Sequence, residues 1–576
     1  MSKRNRSQAR GRGAAARREK REQALPWSVR LRSMSDLLLH PSSPDERPWK
    51  FLLPVLALAF VARAAIALSG DFVLHPDEIM QYLEPAHRLV FGNGVTYWEY
   101  FYGARSWLVP GLVAGVLKLF DIVGLGQPAW YVGGIKFAFC AISLLIPAGM
   151  YFFARCHFGE TAARVALLMG AFWYELAGFA HKPMTEFVAT ALLVSLLALC
   201  VRPAPDKLRV VLTVAVLAVL MAAIRVQYAP LALLVLGLFF LRTEKRTQLV
   251  LAAAMVFVAV GVFDAITWDG GLFHSYIVNI RVNLALDDFR AGESPAWQFL
   301  YWLLIANMGL VALCVLAVLH DLRRYGLLLA LIALTLLIHS TQSHKEYRFI
   351  FVVIPLWLLI GADFVVWFAS RASENRSRPS LGPTSLALTA SFAAVSLAGI
   401  LNALPYQDRV YQAYSKETGV VGFLRNQDPI FAAYRYLASA PGVSAVWQVD
   451  RPYFNLPGYY YLHHAIPFYD ANTGRLIFAD QEKTEVEAIA ASVSHIVSAD
   501  PATSVPGYSV EKTFGTIRIL CRDADELAIR PWQEHTPTIT GGTFAKLMNK
   551  LYPDAPTPPP NAGIRFADES TREGEQ

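Results

Sequence analysis

The chain has 576 residues, 55% of them hydrophobic and only 17% charged, with a positive mean hydropathy. Soluble proteins of this size carry about a quarter charged residues, so the composition excludes a soluble enzyme and indicates a polytopic membrane protein. The net charge of +7 does not mark a nucleic-acid partner, because residues 1–24 hold nine Lys/Arg against two Glu, an excess equal to the whole imbalance.

In chain order, residues 1–48 read as a basic, disordered cytoplasmic tail, with almost no apolar content before the first hydrophobic run. A basic flank of this kind holds the N-terminus inside. The apolar run starts too late for a signal peptide, and no small-residue cleavage site follows it. Apolar segments then recur at 51–69, 131–154, 164–180, 184–201, 208–224, 228–241, 247–264, 297–319, 325–339, 347–369 and 384–404, which predicts about 11 spans. The inner loops become "RCHFGETAAR", "VRPAPDKLR", "LRTEKR", "HDLRRYG" and "SRASENRSR". All are basic, as the positive-inside rule expects. The run "WLVPGLVAGVLKLFDIVG" (107–124) is short and carries Pro110, Lys118 and Asp121. As a span it would invert every later loop, so it reads as an interfacial or re-entrant helix within a long first outer loop, 70–130.

Beyond a membrane domain at 49–404, residues 405–550 predict an external α/β domain. "DPIFAAYRYLASAPG" reads as a helix, "VSAVWQVD", "AIPFYD" and "SHIVSA" as strands, and "EKTEVEAIAAS" as a helix. "YSVEKTFGTIRILCR" reads as a closing hairpin around Gly515. The proline-rich, charged stretch 551–576 reads as disordered. Only Cys521 of the five cysteines lies in this C-terminal part, so no internal disulfide forms there. The acceptor sequons, at Asn5 and Asn375, fall on the inner side. Both features fit a bacterial inner membrane with a periplasmic C-terminal domain.

This threading collects polar stretches on the outer face: "LHPDEIMQYLEPAHRLVFGNG" (74–94), "HKPMTE" (181–186), Arg225 with the loop after Trp268, and "HSTQSHKEYRF" (339–349). Each has an ordinary reading. Pro76 followed by Asp77 and Glu78 is a normal helix start. "HKEYRF" suits the amphipathic entry to a span, and "HKPMTE" suits a tight turn. Asp287-Asp288 reads as a solvated pair, and no His/Cys/carboxylate set shows metal-ligand spacing. Together, outer carboxylates beside Lys/Arg suit glycosyl transfer, in which a carboxylate takes the acceptor's proton and a cation stabilises the departing phosphate. An outward site is closed to cytoplasmic nucleotide sugars, so the donor would be a polyprenyl-phosphate sugar. A lipid or glycan transporter or flippase is the competing class. It places ionisable groups at the midplane of repeated halves, whereas Arg63 is the clearest in-span charge here and no half-to-half repeat is visible.

"HPDEIMQYLEPAHRLVFGNG" with "YWEYFYGARSWLVPG" (97–111), and "HKEYRFIFVVIP" (344–355), resemble the two signatures of glycosyltransferase family 22. These are lipid-phosphate-mannose-dependent mannosyltransferases of the glycosylphosphatidylinositol and N-glycan precursor type. The resemblance implies a GT-C fold and inverting transfer of a hexose, mannose in the family, with no cofactor and no metal. The partners it implies are a polyprenyl-phosphate sugar donor, a lipid-linked or envelope glycan acceptor and membrane lipids. It further implies Asp77 as catalytic base with Glu78 beside it. His75, Glu84, Trp98, Glu99 and Arg105 become substrate-binding positions, and Ser106 also matches that loop. His344, Lys345, Glu346 and Arg348 would hold the donor phosphate or shape the pocket. At "HKPMTE" the chain departs from the family's Ser/Asn-rich stretch and shares only Glu186, which leaves the acceptor open.

Overall fold

A computed structural model describes residues 48–73, 75–289, 294–372, 383–401, 428–451, 456–469, 493–523 and 551. The predicted tails, the helix expected at "EKTEVEAIAAS" and Asn375 lie outside the described residues.

The body is a set of apolar helices whose positions follow the apolar runs. Among the described residues, four helices are long and apolar enough to cross a membrane: Trp49–Leu68, Pro128–His157, Arg246–Trp268 and Val353–Arg371. Gln298–Ala306 and Gly309–Asp321 form a pair bent by 104°, which makes a fifth if it counts as one span. Thr185–Cys200, Leu208–Ile224, Val226–Arg242 and Gly326–Ser340 are shorter apolar helices among them. Their outward faces carry Leu53, Leu58, Val61, Leu251, Met255, Phe257 and Ile266, all exposed. A continuous apolar exterior of this kind is stable against lipid and not against water. Arg63, inside the first helix, is fully buried and donates from Nη2 to the Gly170 carbonyl at 3.0 Å, so it pairs within the protein.

The run at 107–124 forms one helix, Leu108–Ile122. It buries Val109, Val113 and Leu117 and exposes Leu119 and Ile122.

In the C-terminal part the described residues form helices Pro429–Leu437 and Tyr459–Leu462 and five strands: β1 (Val446–Gln448), β2 (Phe468–Tyr469), β3 (His495–Ser498), β4 (Tyr508–Phe514) and β5 (Ile517–Arg522). They form one sheet in the order β2-β1-β3-β5-β4. β1 runs parallel to β2 and β3, while β5 is antiparallel to β3 and β4. One face buries Val446, Val497, Ile517 and Ile519 with Ile430, Phe431, Tyr434 and Leu437 of the helix.

This part is bolted to the first loop. Asp71 pairs with Arg435 and, at 2.5 Å, with Lys136, and its carbonyl accepts from the Asp428 N–H at 3.1 Å. Tyr131 donates to the Tyr460 carbonyl at 2.5 Å, and Asn93 Nδ2 donates to the His463 carbonyl at 3.1 Å. Gly458 (φ +68°) stands where any Cβ would meet Glu84 Oε1 at 2.3 Å, so the chain must pass that carboxylate as glycine.

Candidate active site

The loop after helix Trp49–Leu68 turns at Pro76 into a π-helical turn, Glu78–Leu83, which continues as helix Glu84–Phe91. All six residues of the π turn are buried. π turns widen the helix by one residue per turn and occur frequently at functional sites. Gly92 in the left-handed conformation (φ +80°) stops the helix.

A 3₁₀ turn, Tyr347–Ile350, brings Arg348 beneath this loop. Its guanidinium is shared by three carboxylates: Asp77 Oδ2 at 2.6 Å from Nη2, Glu346 Oε2 at 2.5 Å from Nε, and Glu186 Oε1 at 3.2 Å from Nη1. Glu186, at the start of helix Thr185–Cys200, is also 3.0 Å from Arg225 Nη1. His75 bridges Asp77 (Nδ1 to Oδ1, 3.3 Å) and Glu346 (Nε2 to Oε2, 3.2 Å), and His344 Nε2 lies 2.8 Å from Glu346 Oε1. Segments far apart in sequence therefore meet in one cluster: three carboxylates against two guanidiniums and two imidazoles. Glu186 and Arg225 are buried and the others are half-buried, and charges so far removed from water are held by pairing of this kind.

Burial and Arg348 both work against protonation of His75, yet Asp77 and Glu346 outweigh them and push the ring up to about 9. Burial would raise the Asp77 carboxyl, but His75 and Arg348 hold it well below the usual carboxylate range. Burial acts likewise on Glu346, and Arg348 with the two histidines depresses it. The imidazolium of His75 gives a pH signature. Its folded pKa is raised above the unfolded value of about 6.5, so its stabilisation is complete below about pH 6.5 and is lost as pH rises through 9. The shift corresponds to about 3 kcal/mol. The melting-temperature gap between wild type and His75→Gln is therefore widest near about pH 6 and closes toward about pH 10. A gap that widens with pH would contradict a charged His75.

Glu78 points to a different partner, a buried ion pair with Lys182 at 3.0 Å. Lys182 also donates to the Phe72 carbonyl and sits 3.8 Å from the Phe72 ring centroid. Glu84 accepts the Val95 N–H at 2.9 Å and the Tyr460 N–H at 2.7 Å and is fully buried. It ties the loop to the C-terminal part, and burial raises its carboxyl to about 7. Glu99 accepts from Gln81 Nε2 at 2.7 Å and lies 3.6 Å from Arg105 Nη2. Burial pushes Glu99 up to about 7 against the pull of Arg105. Arg105 keeps about a third of its side chain exposed (31%) while Nη2 stays beside Glu99. Lys345 donates to the Gln342 carbonyl and, at 3.3 Å, to that of Ser294, which pins the turn before Arg348. Ser106 Oγ accepts from the Tyr276 hydroxyl at 3.3 Å. Trp98 opens the short helix Trp98–Phe101, and its side chain lies outside the described residues, as do those of Asp287 and Asp288.

The sequence-predicted residues thus divide. His75, Asp77, Glu186, His344, Glu346 and Arg348 meet in one cluster, and Glu99 with Arg105 forms a pair along the same loop. Glu78, Glu84 and Lys345 are held by other partners. Lys182, Arg225 and Thr185, which the sequence places on the outer face without individual roles, gain partners here; Thr185 Oγ1 donates to Glu186 Oε2 at 3.2 Å and lies 3.1 Å from the Tyr82 hydroxyl. Their one trace in the sequence is a charged or hydroxyl residue at the outer end of an apolar run.

The profile of the Alg9-like mannosyltransferase family matches residues 54–418. GPI mannosyltransferase 3 of Yarrowia lipolytica is 43% identical over 79 residues, 14% of this chain and 15% of that protein. Mannosyltransferase APTG1 of Arabidopsis thaliana is 25% identical over 337 residues, 56% of this chain and 60% of the relative. GPI mannosyltransferase 3 of Drosophila melanogaster is 26% identical over 342 residues, 56% and 58% respectively. The chain thus spans about three fifths or less of these relatives' length. Among solved structures, ArnT from Cupriavidus metallidurans bound to undecaprenyl phosphate aligns with a TM-score of 0.49 at 14% identity, over 84% of this chain and 99% of that one.

Proposed function

The chain belongs to the Alg9-like mannosyltransferase family, and on that premise we propose that it moves a hexose, mannose by family, from a polyprenyl-phosphate donor to a lipid-linked or envelope glycan acceptor. The transfer is inverting and needs no metal, and the site lies at the outer surface of the membrane. The observation that carries this reading is the partly buried contact of Arg348 with Asp77, which sets the proton acceptor beside the cation that would receive phosphate.

Asp77 takes the proton of the acceptor hydroxyl as that oxygen bonds to the anomeric carbon. The bond from that carbon to the phosphate oxygen breaks, and polyprenyl phosphate departs as an anion. A carboxylate held by both His75 and Arg348 is a weak base at rest. A phosphate entering the cluster competes for the guanidinium, and as Arg348 turns to it, Asp77 loses a positive neighbour and gains basicity. Arg348 suits this exchange because its planar fork serves carboxylate and phosphate oxygens alike. Arg105 and Glu99 shape the acceptor side, and Glu186 with Arg225 fixes the guanidinium in the absence of substrate.

The donor class is directly testable. Purified protein supplied with labelled polyprenyl-phosphate mannose and a lipid extract is expected to label a lipid product, and labelled GDP-mannose is expected to give none. Transfer from the nucleotide sugar alone would overturn an outward-facing, lipid-donor site. ATP-independent passage of intact lipid across a vesicle membrane without sugar transfer would favour the transporter class.

A further inference from the structure

We infer that strands β3, β4 and β5 carry a binding site for a zinc-class divalent cation, with His495 Nε2, a Glu511 carboxylate oxygen and Cys521 Sγ as its ligands. The three donor atoms lie within 4.8 Å of one another. Tetrahedral zinc, with bonds of about 2.0–2.3 Å, sets its ligands about 3–4 Å apart, so closure needs about an ångström of side-chain movement. His495 and Cys521 are direct cross-strand partners in the antiparallel β3–β5 pair and so share one face of the sheet. Glu511 reaches that face through an irregularity: the β4–β5 register shifts between Val510 and Lys512, leaving Glu511 as the extra residue. Bulges of this kind re-aim a side chain.

The surroundings are those of a ligand set. The Tyr436 hydroxyl donates to Glu511 Oε1 at 2.6 Å, leaving Oε2 directed at His495 Nε2, 3.2 Å away. Ser494 Oγ lies 2.9 Å from His495 Nδ1, so the ring's far nitrogen has a hydroxyl partner and Nε2 is left to the cluster. Metal-bound histidines have such a partner almost without exception. Thiolate and carboxylate together neutralise a divalent cation, and the mixed N/O/S set fits zinc better than magnesium or calcium. Cys521 releases its proton to solvent as the metal binds. His495 is buried and Glu511 is partly exposed, at 28%, so the cation enters from the Glu511 side and keeps a water as fourth ligand. A loaded site ties edge strand β4 to β5 and β3. Through Tyr436 it also steadies helix Pro429–Leu437, whose Arg435 holds Asp71.

The test uses the full-length protein, stripped with a chelator and titrated with Zn²⁺ and with Co²⁺. The expected result is one ion per chain, tetrahedral cobalt bands with a thiolate-to-cobalt charge-transfer band, and a raised melting temperature with zinc. Cys140, Cys156, Cys200 and Cys314 are buried in the helical body, so loss of that band in Cys521→Ser assigns it to this thiol. Glu511→Gln, on an exposed edge strand and therefore compatible with folding, is expected to weaken binding by about tenfold or more, and Tyr436→Phe by about tenfold. Absence of stoichiometric binding to wild type at micromolar metal would overturn the site and leave His495 and Glu511 as a simple ion pair. So would a charge-transfer band that persists in Cys521→Ser, or an affinity unchanged in Glu511→Gln.

Discussion

Asp77→Asn is expected to lower kcat by about 10²–10⁴-fold while donor binding is kept and the melting temperature falls, because His75 and Arg348 lose a charged partner. The asparagine amide keeps the size of the carboxylate and can still accept from Arg348, so the contact at 2.6 Å survives in weakened form. What it cannot do is take a proton from the acceptor. The loss should therefore appear in single-turnover transfer rates at saturating donor, not in donor affinity. Glu78→Gln is the informative control, because Glu78 is committed to Lys182 and stands outside the Arg348 cluster. That variant should lose stability through an unpaired buried ammonium and keep far more of its turnover per folded molecule. If Glu78→Gln abolished transfer and Asp77→Asn did not, the base would be misassigned.

The second large effect concerns Arg348. Replacing it with Ala leaves Asp77, Glu186 and Glu346 facing one another without their shared cation, and breaking a fully buried pair costs about 3–5 kcal/mol, an upper bound for these largely buried ones. Loss of folded protein in detergent is the expected outcome for Arg348→Ala. Arg348→Lys separates fold from chemistry. A lysine keeps the charge and a foothold among the three carboxylates but has no planar fork. It is expected to fold with a lowered melting temperature and to lose about 10²–10³ in transfer rate, the scale for removing one stabilising donor of transition-state charge. The loss should track the phosphate of the donor, with weaker binding of polyprenyl phosphate itself. Wild-type rates in Arg348→Lys would exclude Arg348 from phosphate stabilisation.

Much of the frame was legible because it follows from side-chain hydrophobicity. The apolar runs of the body fall on helices, and the strands β1 to β5 fall on the segments that read as extended, whereas helix His274–Phe289 lies in a stretch that reads as a polar outer loop. The motif residues His75, Asp77, Glu346 and Arg348 stood out as ionisable groups at the edge of apolar runs. What the sequence concealed was the pairing. Arg348 and Asp77 are 271 positions apart, and which of several outer acids meets that arginine depends on a π turn and a 3₁₀ turn that no periodicity announces. Glu78 and Glu84 look like site carboxylates by neighbourhood, yet the widened turn sends one to Lys182 and the other to two backbone amides. "HKPMTE" reads as a plain turn, but it supplies both Lys182 and Glu186. His495, Glu511 and Cys521 show no ligand spacing because cross-strand register and a bulge, not sequence distance, bring them together.

The most direct test of the account is transfer of labelled mannose from polyprenyl-phosphate mannose by purified protein, wild type beside Asp77→Asn, with lipid extract as acceptor. A labelled lipid product is expected with wild type and almost none with the variant, although both bind the donor. Equal labelling by the two proteins would contradict it, as would wild type that binds donor tightly and transfers nothing to any lipid-linked or glycan acceptor.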